Sequence, residues 1–307
     1  MNGFVNLLKP PGMTSNDAVM ATRRLLKTRR IGHAGTLDPE AAGVLPLGLG
    51  KATRLLSMLA EAGKTYWCEW IPGVETDTCD AYGAVTATSR ADITVDDLLR
   101  VLPGFTGDIA QEPPLYSALK YKGKRMYQWA REGQTPEIPT RTVSITHIEA
   151  LPSARAGAFA LRVRCGGGTY IRSLCRDIGR ALGISAHMGM LVREGVGSLS
   201  IDDAVTFEAL REQAESGAFQ PMPMACATSD MPSAFVPDAL IAQLLNGAPL
   251  PALACKAEGI TGKTALYLPD GSLAAIGRSD GTEIRIDIML LERDQHGFGF
   301  NRLHWRL

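Results

Sequence analysis

The chain has 307 residues, 45% of them hydrophobic, with 32 basic and 32 acidic side chains and a formal net charge of zero. That length suggests about two domains, and that apolar fraction excludes a disordered chain. Zero net charge excludes a globally basic nucleic-acid binder, so any polyanion site must come from local segregation of charge. In chain order, Phe4 to Leu8 reads as a strand running into the rigid turn Lys9-Pro10-Pro11-Gly12. Ser15 is a candidate N-cap for a helix over about Asn16 to Leu26. The stretch Gly32 to Pro46 reads as a stiff loop: three glycines and two prolines surround the carboxylate of Asp38, with His33 five residues upstream. A short helix is expected over Thr53 to Ala60, and an aromatic-rich strand over Lys64 to Ile71.

Gly73 to Gly83 reads as a loop of short polar residues carrying Glu75, Asp77 and Asp80, without the regular spacing of a calcium loop. Val85 to Thr88 reads as a strand, and Thr94 as the cap of a short acidic helix ending near Leu102. Thr142 to Ala150 and Phe159 to Arg164 alternate as strands do. Gly166-Gly167-Gly168 then leads into a helix that Gly183 stops. The glycine run is a candidate anion site, but it lacks the spacings of phosphate-binding and dinucleotide-binding loops, which disfavours ATP and NAD. Thr206 caps a helix to Ser216, and Met231-Pro232 marks a joint. Beyond it come a helix from Pro237 to Gly247, a hairpin turning at Asp270-Gly271, and strands over Glu283 to Leu291 and Phe298 to Trp305.

Two runs are basic and free of acid: Arg23 to Arg30, and Ser117 to Arg131. Tyr116, Tyr121, Tyr127 and Trp129 are interleaved with the second run, a combination that offers cations to phosphates and rings to bases; equally, Tyr127 and Trp129 fit a small helix packed on the body. The six cysteines form no C-x-x-C pair, so no zinc site is expected. They read as scattered buried thiols of a reducing, cytoplasmic compartment. No apolar run is long enough for a membrane span.

Five motifs in order resemble the TruB family of tRNA pseudouridine synthases. They are Lys9 to Ser15; Gly32-His33-Ala34-Gly35-Thr36-Leu37-Asp38-Pro39 with Ala42 to Pro46; Lys64 and Tyr66 with Gly73 and Thr76 to Asp80; Pro113-Pro114 with Ser117, Ala118, Lys120 and Tyr127 to Gly133; and Gly168 to Leu174. The resemblance spans about Phe4 to Gly197. It implies an α+β pseudouridine synthase fold: a central mixed, mostly antiparallel sheet flanked by helices, an inserted RNA-binding thumb at about 102–140, and a small C-terminal β-rich PUA-like domain. The expected division is 1–230 and 231–307.

The implied reaction isomerises the uridine at conventional position 55, in the T-loop of tRNA, after the base has left the stack. No metal or other cofactor is expected. One carboxylate suffices, because uracil leaves as a delocalised anion and no water needs activation; hydrolytic glycosidases usually use two. By the resemblance, Asp38 is the catalytic group, attacking C1′ or removing a sugar proton, and Arg172 is its ion-pair partner. Tyr66 stacks on the base, Tyr170 and Leu191 line the pocket, and His33 braces the opened loop. Lys9, Lys120, Arg131 and Arg193 complete the implied substrate-binding set. Val192 and Glu194 flank a single arginine where the family more often has two in succession. The expected partner is tRNA, through its T-arm and, by way of the C-terminal domain, its acceptor stem; the chain is expected to be monomeric. Two other readings stay open: a tRNA-folding chaperone, and a synthase subunit of a guide-RNA particle.

Overall fold

A computed structural model describes residues 1–291, except 118, 122, 133 and 135–138; the strand expected over Phe298 to Trp305 lies outside the described residues. The chain divides into two compact units, residues 3–222 and 223–307.

The first unit is built on one mixed sheet. In chain order its strands are β1 (Gly3–Lys9), β2 (Ile31–His33), β3 (Ala42–Leu49) and β4 (Lys64–Pro72). A small separate hairpin, β5 (Val74–Thr76) and β6 (Val85–Thr88), follows. Next are β7 (Gly107–Gln111), the two-residue strands β8 (Lys120–Tyr121) and β9 (Lys124–Arg125), β10 (Arg141–Leu151), β11 (Phe159–Cys165), β12 (Ala186–Val196) and β13 (Leu199–Ser200). Among the described residues the sheet order is β1-β3-β12-β4-β11-β10-β7, with β2 on β3 and β13 on β12. Every pairing is antiparallel except β12 with β3. The expected mixed, mostly antiparallel sheet is therefore present.

Helix α1 (Ser15–Leu25) begins one residue earlier than expected. Thr14, not Ser15, is its N-cap: Thr14 Oγ1 accepts from the Asp17 amide at 3.0 Å, and Asp17 accepts from the Thr14 amide at 3.0 Å, a reciprocal capping box. Ser15 is inside, where its hydroxyl accepts from the Leu37 amide at 2.9 Å and so ties the helix to the loop before Asp38. The segment expected as one short helix after β3 is a tight 3-10 stretch, Gly50–Leu55, continued by α2 (Leu56–Glu61). Thr94 caps α3 (Val95–Val101) through a second capping box.

Gly32 to Pro46 is a loop only in part. Its two ends are strands β2 and β3, paired from Ile31–Leu49 to His33–Leu47, and the irregular part is only residues 34–41. Also absent from the sequence reading is β12, which lies between β3 and β4 and runs parallel to β3. The approach of β12 to β3 requires Gly43. Its φ is +113°, and a Cβ there would fall 2.2 Å from the Arg193 carbonyl oxygen.

The residues of β4 and β12 that share a face can be read from the register. Tyr66 faces Arg193 and Cys68 faces Leu191. Trp70 continues that face of β4, and its indole N–H donates to the Cys175 carbonyl at 2.8 Å. Helix α5 (Ile171–Ala181) therefore packs over the same face, burying Leu174, Cys175 and Ile178 against it. Burial of these side chains, at about 25 cal/mol per Å² of apolar surface, holds α5 in place far better than its own propensity could.

The chain leaves the sheet after Gln111 and re-enters it at Arg141. Between them lie the β8–β9 hairpin and α4 (Met126–Arg131). Met126 is fully buried, the Lys124 ammonium lies 4.7 Å from the centre of the Trp129 ring, and Lys124 also pairs with Glu132. After β13 comes α6 (Phe207–Glu215), capped by Thr206 as expected.

The second unit has its own five-stranded sheet among the described residues, with β14 (Ser233–Phe235), β15 (Leu250–Pro251), β16 (Thr261–Tyr267), β17 (Leu273–Asp280) and β18 (Glu283–Met289) in the order β14-β16-β17-β18-β15. Helix α7 (Asp238–Leu245) contributes Leu244 to a separate core with Val236, Leu250, Leu266 and Ile284. Asp270 closes the β16–β17 turn by accepting from the Ser272 amide and hydroxyl at 2.9 and 2.6 Å. No helix among the described residues is long and apolar enough to cross a membrane.

Candidate active site

The site forms where the loop after β2 meets the first turn of α5. Arg172 is in that turn and is 5% exposed, whereas the Asp38 side chain keeps 38% of its surface open. The guanidinium grips the carboxylate with two bonds: Nε to Oδ2 at 2.9 Å and Nη2 to Oδ1 at 3.1 Å. Nη2 also donates to the Tyr116 carbonyl at 3.0 Å, and Nη1 donates to the Thr78 carbonyl at 3.1 Å with the Asp80 carboxylate 3.6 Å away. A planar fork can serve four acceptors at once, which a lysine ammonium at the same place cannot. The result is a fixed, half-open carboxylate aimed outward from a buried cation.

The acidic loop expected before β6 proves to be a support. Asp80 accepts from the Thr78 hydroxyl at 2.7 Å, Asp77 from the Ala84 amide at 2.8 Å, and Glu75 pairs with Arg180 at 2.7 Å. These carboxylates hold the turn that offers the Thr78 carbonyl to Arg172.

Lys9 and Arg193, expected among the substrate-binding side chains, lie inside the protein. Both are fully buried. Lys9 Nζ donates to the carbonyls of Pro10, Met13 and Pro39 at 2.8, 2.8 and 2.9 Å, which fixes the residue next to Asp38. Burial draws its pKa down to about 8, against the opposing pull of the Glu40 and Asp38 carboxylates. Arg193 donates from Nε to the Val44 carbonyl at 2.7 Å and from Nη2 to the Gly35 carbonyl at 3.3 Å. It braces both ends of the Asp38 loop from beneath. Glu194, the departure noted beside it, makes a bidentate pair with Arg162 at 2.8 and 3.1 Å.

Tyr66 is 8% exposed and sits across from Arg193 on β4. Burial raises its phenol pKa above 10, opposed by the Arg193 charge and hydrogen bond, so the ring stays neutral. Leu191 lies on the same face, two residues along β12. His33 ends β2 and is half-buried; burial lowers its pKa below 6.5, with the Gly35 backbone pulling the other way. Tyr170 is the N-cap of α5 without a side-chain cap of its own. The structure thus joins Asp38 to Arg172 and sets Tyr66 within the field of the Asp38 and Arg193 charges, while Lys9 and Arg193 hold the loop; Leu191 shares the face of Tyr66, and Tyr170 heads the helix that carries Arg172. The side chains of Lys120 and Arg131 lie outside the described residues; their backbones belong to β8 and α4.

Besides Asp38, Arg172 reaches two backbone carbonyls, of Thr78 and Tyr116, and lies near Asp80, which with Thr78 falls in the Thr76 to Asp80 motif. Gln111 carries no sequence signal. It is 1% exposed, accepts from the Tyr170 amide at 2.8 Å and donates to the Tyr170 carbonyl at 3.1 Å. Its amide plays the part of one more peptide group of β7 and caps the start of α5. Ser173 and Arg176 add bonds of 2.7 and 3.1 Å to the Glu112 carbonyl.

Residues 23–171 match the model of the "TruB family pseudouridylate synthase (N terminal domain)", and residues 172–221 match the "tRNA pseudouridylate synthase B C-terminal domain". The chain is 42% identical to the tRNA pseudouridine synthase B of Pelotomaculum thermopropionicum over 81% of its own length and 81% of the relative's. It is 39% identical to that of Bacillus subtilis over 90% and 92% of the two lengths. Among solved structures it resembles a chain of a Cbf5-Nop10-Gar1 complex, with a TM-score of 0.74 and 30% identity, over 95% of this chain and 86% of that one. A chain of an H/ACA ribonucleoprotein bound to a substrate RNA containing 2′-deoxyuridine matches with the same TM-score and coverage, at 27% identity.

Proposed function

From the premise that this chain belongs to the TruB family of pseudouridine synthases and so acts on tRNA, we propose that it isomerises uridine-55 of the T-loop, with Asp38 as the catalytic carboxylate. The observation that carries this reading is the bidentate pair between a half-open Asp38 and a buried Arg172. The cation holds the carboxylate in one orientation, so no reorganisation is needed when it meets the sugar.

In this reading the flipped uridine enters over Tyr66, with Leu191 and Tyr170 at its sides. Asp38 either attacks C1′ or takes the C2′ proton to give a glycal; in both cases the C1′–N1 bond breaks and uracil departs as an anion. The base turns over on Tyr66, and C5 bonds to C1′ as the Asp38–C1′ bond breaks or, on the glycal route, as Asp38 returns the proton to C2′. The C5 proton is then lost and N1 gains one, so the product is an isomer and no water is consumed. His33, neutral near pH 7, braces the space the base vacates. Lys9 and Arg193 position the loop, while Lys120, Arg131 and the insertion at about 102–140 grip the T-arm. The second unit serves as a PUA-like module on the acceptor stem.

The test is an Asp38→Ala protein assayed for pseudouridine and for tRNA binding. Modification is expected to vanish while binding persists; retained modification removes Asp38 from its role. The purified chain alone is expected to modify a bare tRNA transcript. A requirement for a guide RNA would place it functionally beside the H/ACA assemblies whose chains share its fold.

A further inference from the structure

The acid-free basic run Arg23 to Arg30 has no part in the site just described. It covers the last turn of α1, the turn after it, and the residue before β2. Arg24, Lys27, Arg29 and Arg30 are exposed. None of the four has an ion-pair partner among the described residues. Arg30 is held in place: its Nε donates to Thr53 Oγ1 at 2.8 Å, and its carbonyl accepts from the Gly50 amide at 2.9 Å. Like charges so close repel one another and would gain from a polyanion.

A second observation is independent of charge. Lys27 follows the C-cap of α1 with φ +47°, one of three non-glycine residues with positive φ among the described residues. Its amide bonds to the Arg24 carbonyl at 3.4 Å, and the Thr28 amide bonds to the Arg23 carbonyl at 3.3 Å, which ends the helix. Glycine is the residue that adopts this conformation freely. The chain instead places an exposed cation there, at a conformational cost, where a bare helix stop would be more stable as glycine. A favourable interaction of Lys27 with the helix dipole offsets only part of that cost.

The position of the patch names its partner. Arg30 is three residues from His33 along extended β2, about 10 Å at the usual rise per residue. The patch therefore borders the rim of the loop that holds His33 and Asp38. A nucleotide turned into that loop brings its flanking sugar–phosphate backbone across this border.

We infer that Arg24, Lys27, Arg29 and Arg30 form a phosphate-binding surface for the backbone of the RNA whose base enters the Asp38 site. This rests on the tRNA reading proposed above. It assigns the surface to affinity and register of the RNA, with no role in the bond changes.

The experiment measures binding of an unmodified tRNA transcript to the full chain between about 50 and 300 mM salt, for the parent, Lys27→Gly, and the triple variant Arg24→Gln/Lys27→Gly/Arg29→Gln. Each lost phosphate contact makes the slope of log K against log salt shallower by about 0.7–0.9, which is roughly fivefold in affinity near 0.15 M. The triple variant is expected to be shallower by about 2. Lys27→Gly is expected to bind more weakly while its melting temperature holds or rises by a few degrees. Unchanged affinity and slope in the triple variant, with the parent binding well, overturn this inference alone. A fall in both affinity and melting temperature for Lys27→Gly makes Lys27 a structural cap and overturns its part. A parent that neither binds nor modifies the transcript overturns the tRNA reading, and this surface with it.

Discussion

Replacing Arg172 with lysine keeps the positive charge and removes the fork. Arg172 makes four hydrogen bonds: two to Asp38, one to the Thr78 carbonyl and one to the Tyr116 carbonyl. A lysine has three donors on one nitrogen and a shorter reach, so it holds one oxygen of Asp38 and at most one carbonyl. Two bonds are lost. Bonds to a charged group are worth about 1.5–3 kcal/mol each in a buried setting, and the half-open Asp38 recovers part of its loss from water. The net cost to stability is about 2–3 kcal/mol, or a melting temperature lower by roughly 5–10 °C for a unit of this size. The carboxylate also becomes free to pivot about one bond, and a displacement near 1 Å costs on the order of 100-fold in rate. The assay is release of label from tRNA carrying tritium at uridine C5, since that hydrogen must leave when C5 bonds to C1′. Single-turnover rates at saturating enzyme separate chemistry from binding. A rate within about threefold of the parent would refute the view that the fork aims Asp38, whatever the melting temperature does.

Other perturbations test the supports. Gly43→Ala puts a methyl against the Arg193 backbone at a positive φ, and is expected to cost about 2–6 kcal/mol, read as a large drop in thermal midpoint. Gln111→Leu strands the Tyr170 amide and carbonyl and should cost about 2–4 kcal/mol; hydrogen exchange is expected to show the first turn of α5 opening more readily than its middle. For His33, the folded pKa lies below the unfolded value because burial disfavours the imidazolium. The unfolded chain therefore takes up the proton first as pH falls through about 6.5, so His33 makes the protein less stable on the acid side of that value. A His33→Gln variant should show a shallower loss of stability from pH 7 to 5, and NMR titration of His33 should give a midpoint under 6.5.

The sequence made the outward-facing chemistry legible. Asp38 stands in a glycine- and proline-rich stretch, and Arg172 follows a glycine run at a helix start, so both could be singled out and matched to a family. Caps were nearly legible too: Thr94 and Thr206 were read correctly, and Thr14 was missed for Ser15 because adjacent hydroxyl residues offer the same side-chain oxygen. β12 was not legible. Its sequence, AHMGMLVREGV, holds two glycines and an Arg-Glu pair, and it becomes a strand only because β3 and β4 pair with it on either side. Gly32 to Pro46 looked like a loop because glycine and proline dominate it, whereas pairing with β1 and β2 makes its C-terminal part a strand.

The sequence by itself determined which side chains are available for chemistry, that Thr94 and Thr206 cap α3 and α6, and that the basic charges fall in two acid-free runs. Those properties are local: a carboxylate, a cap or a charge run is complete within a few residues. Only the tertiary structure decided that Lys9 and Arg193 face inward onto carbonyls, that the acidic loop serves Arg172, and that Gln111 stands in for a peptide group at the head of α5. These depend on backbone acceptors, and every residue carries the same carbonyl. Which one a buried cation finds is set by strand register and by the packing of α5 on the sheet, both of which join residues more than a hundred positions apart.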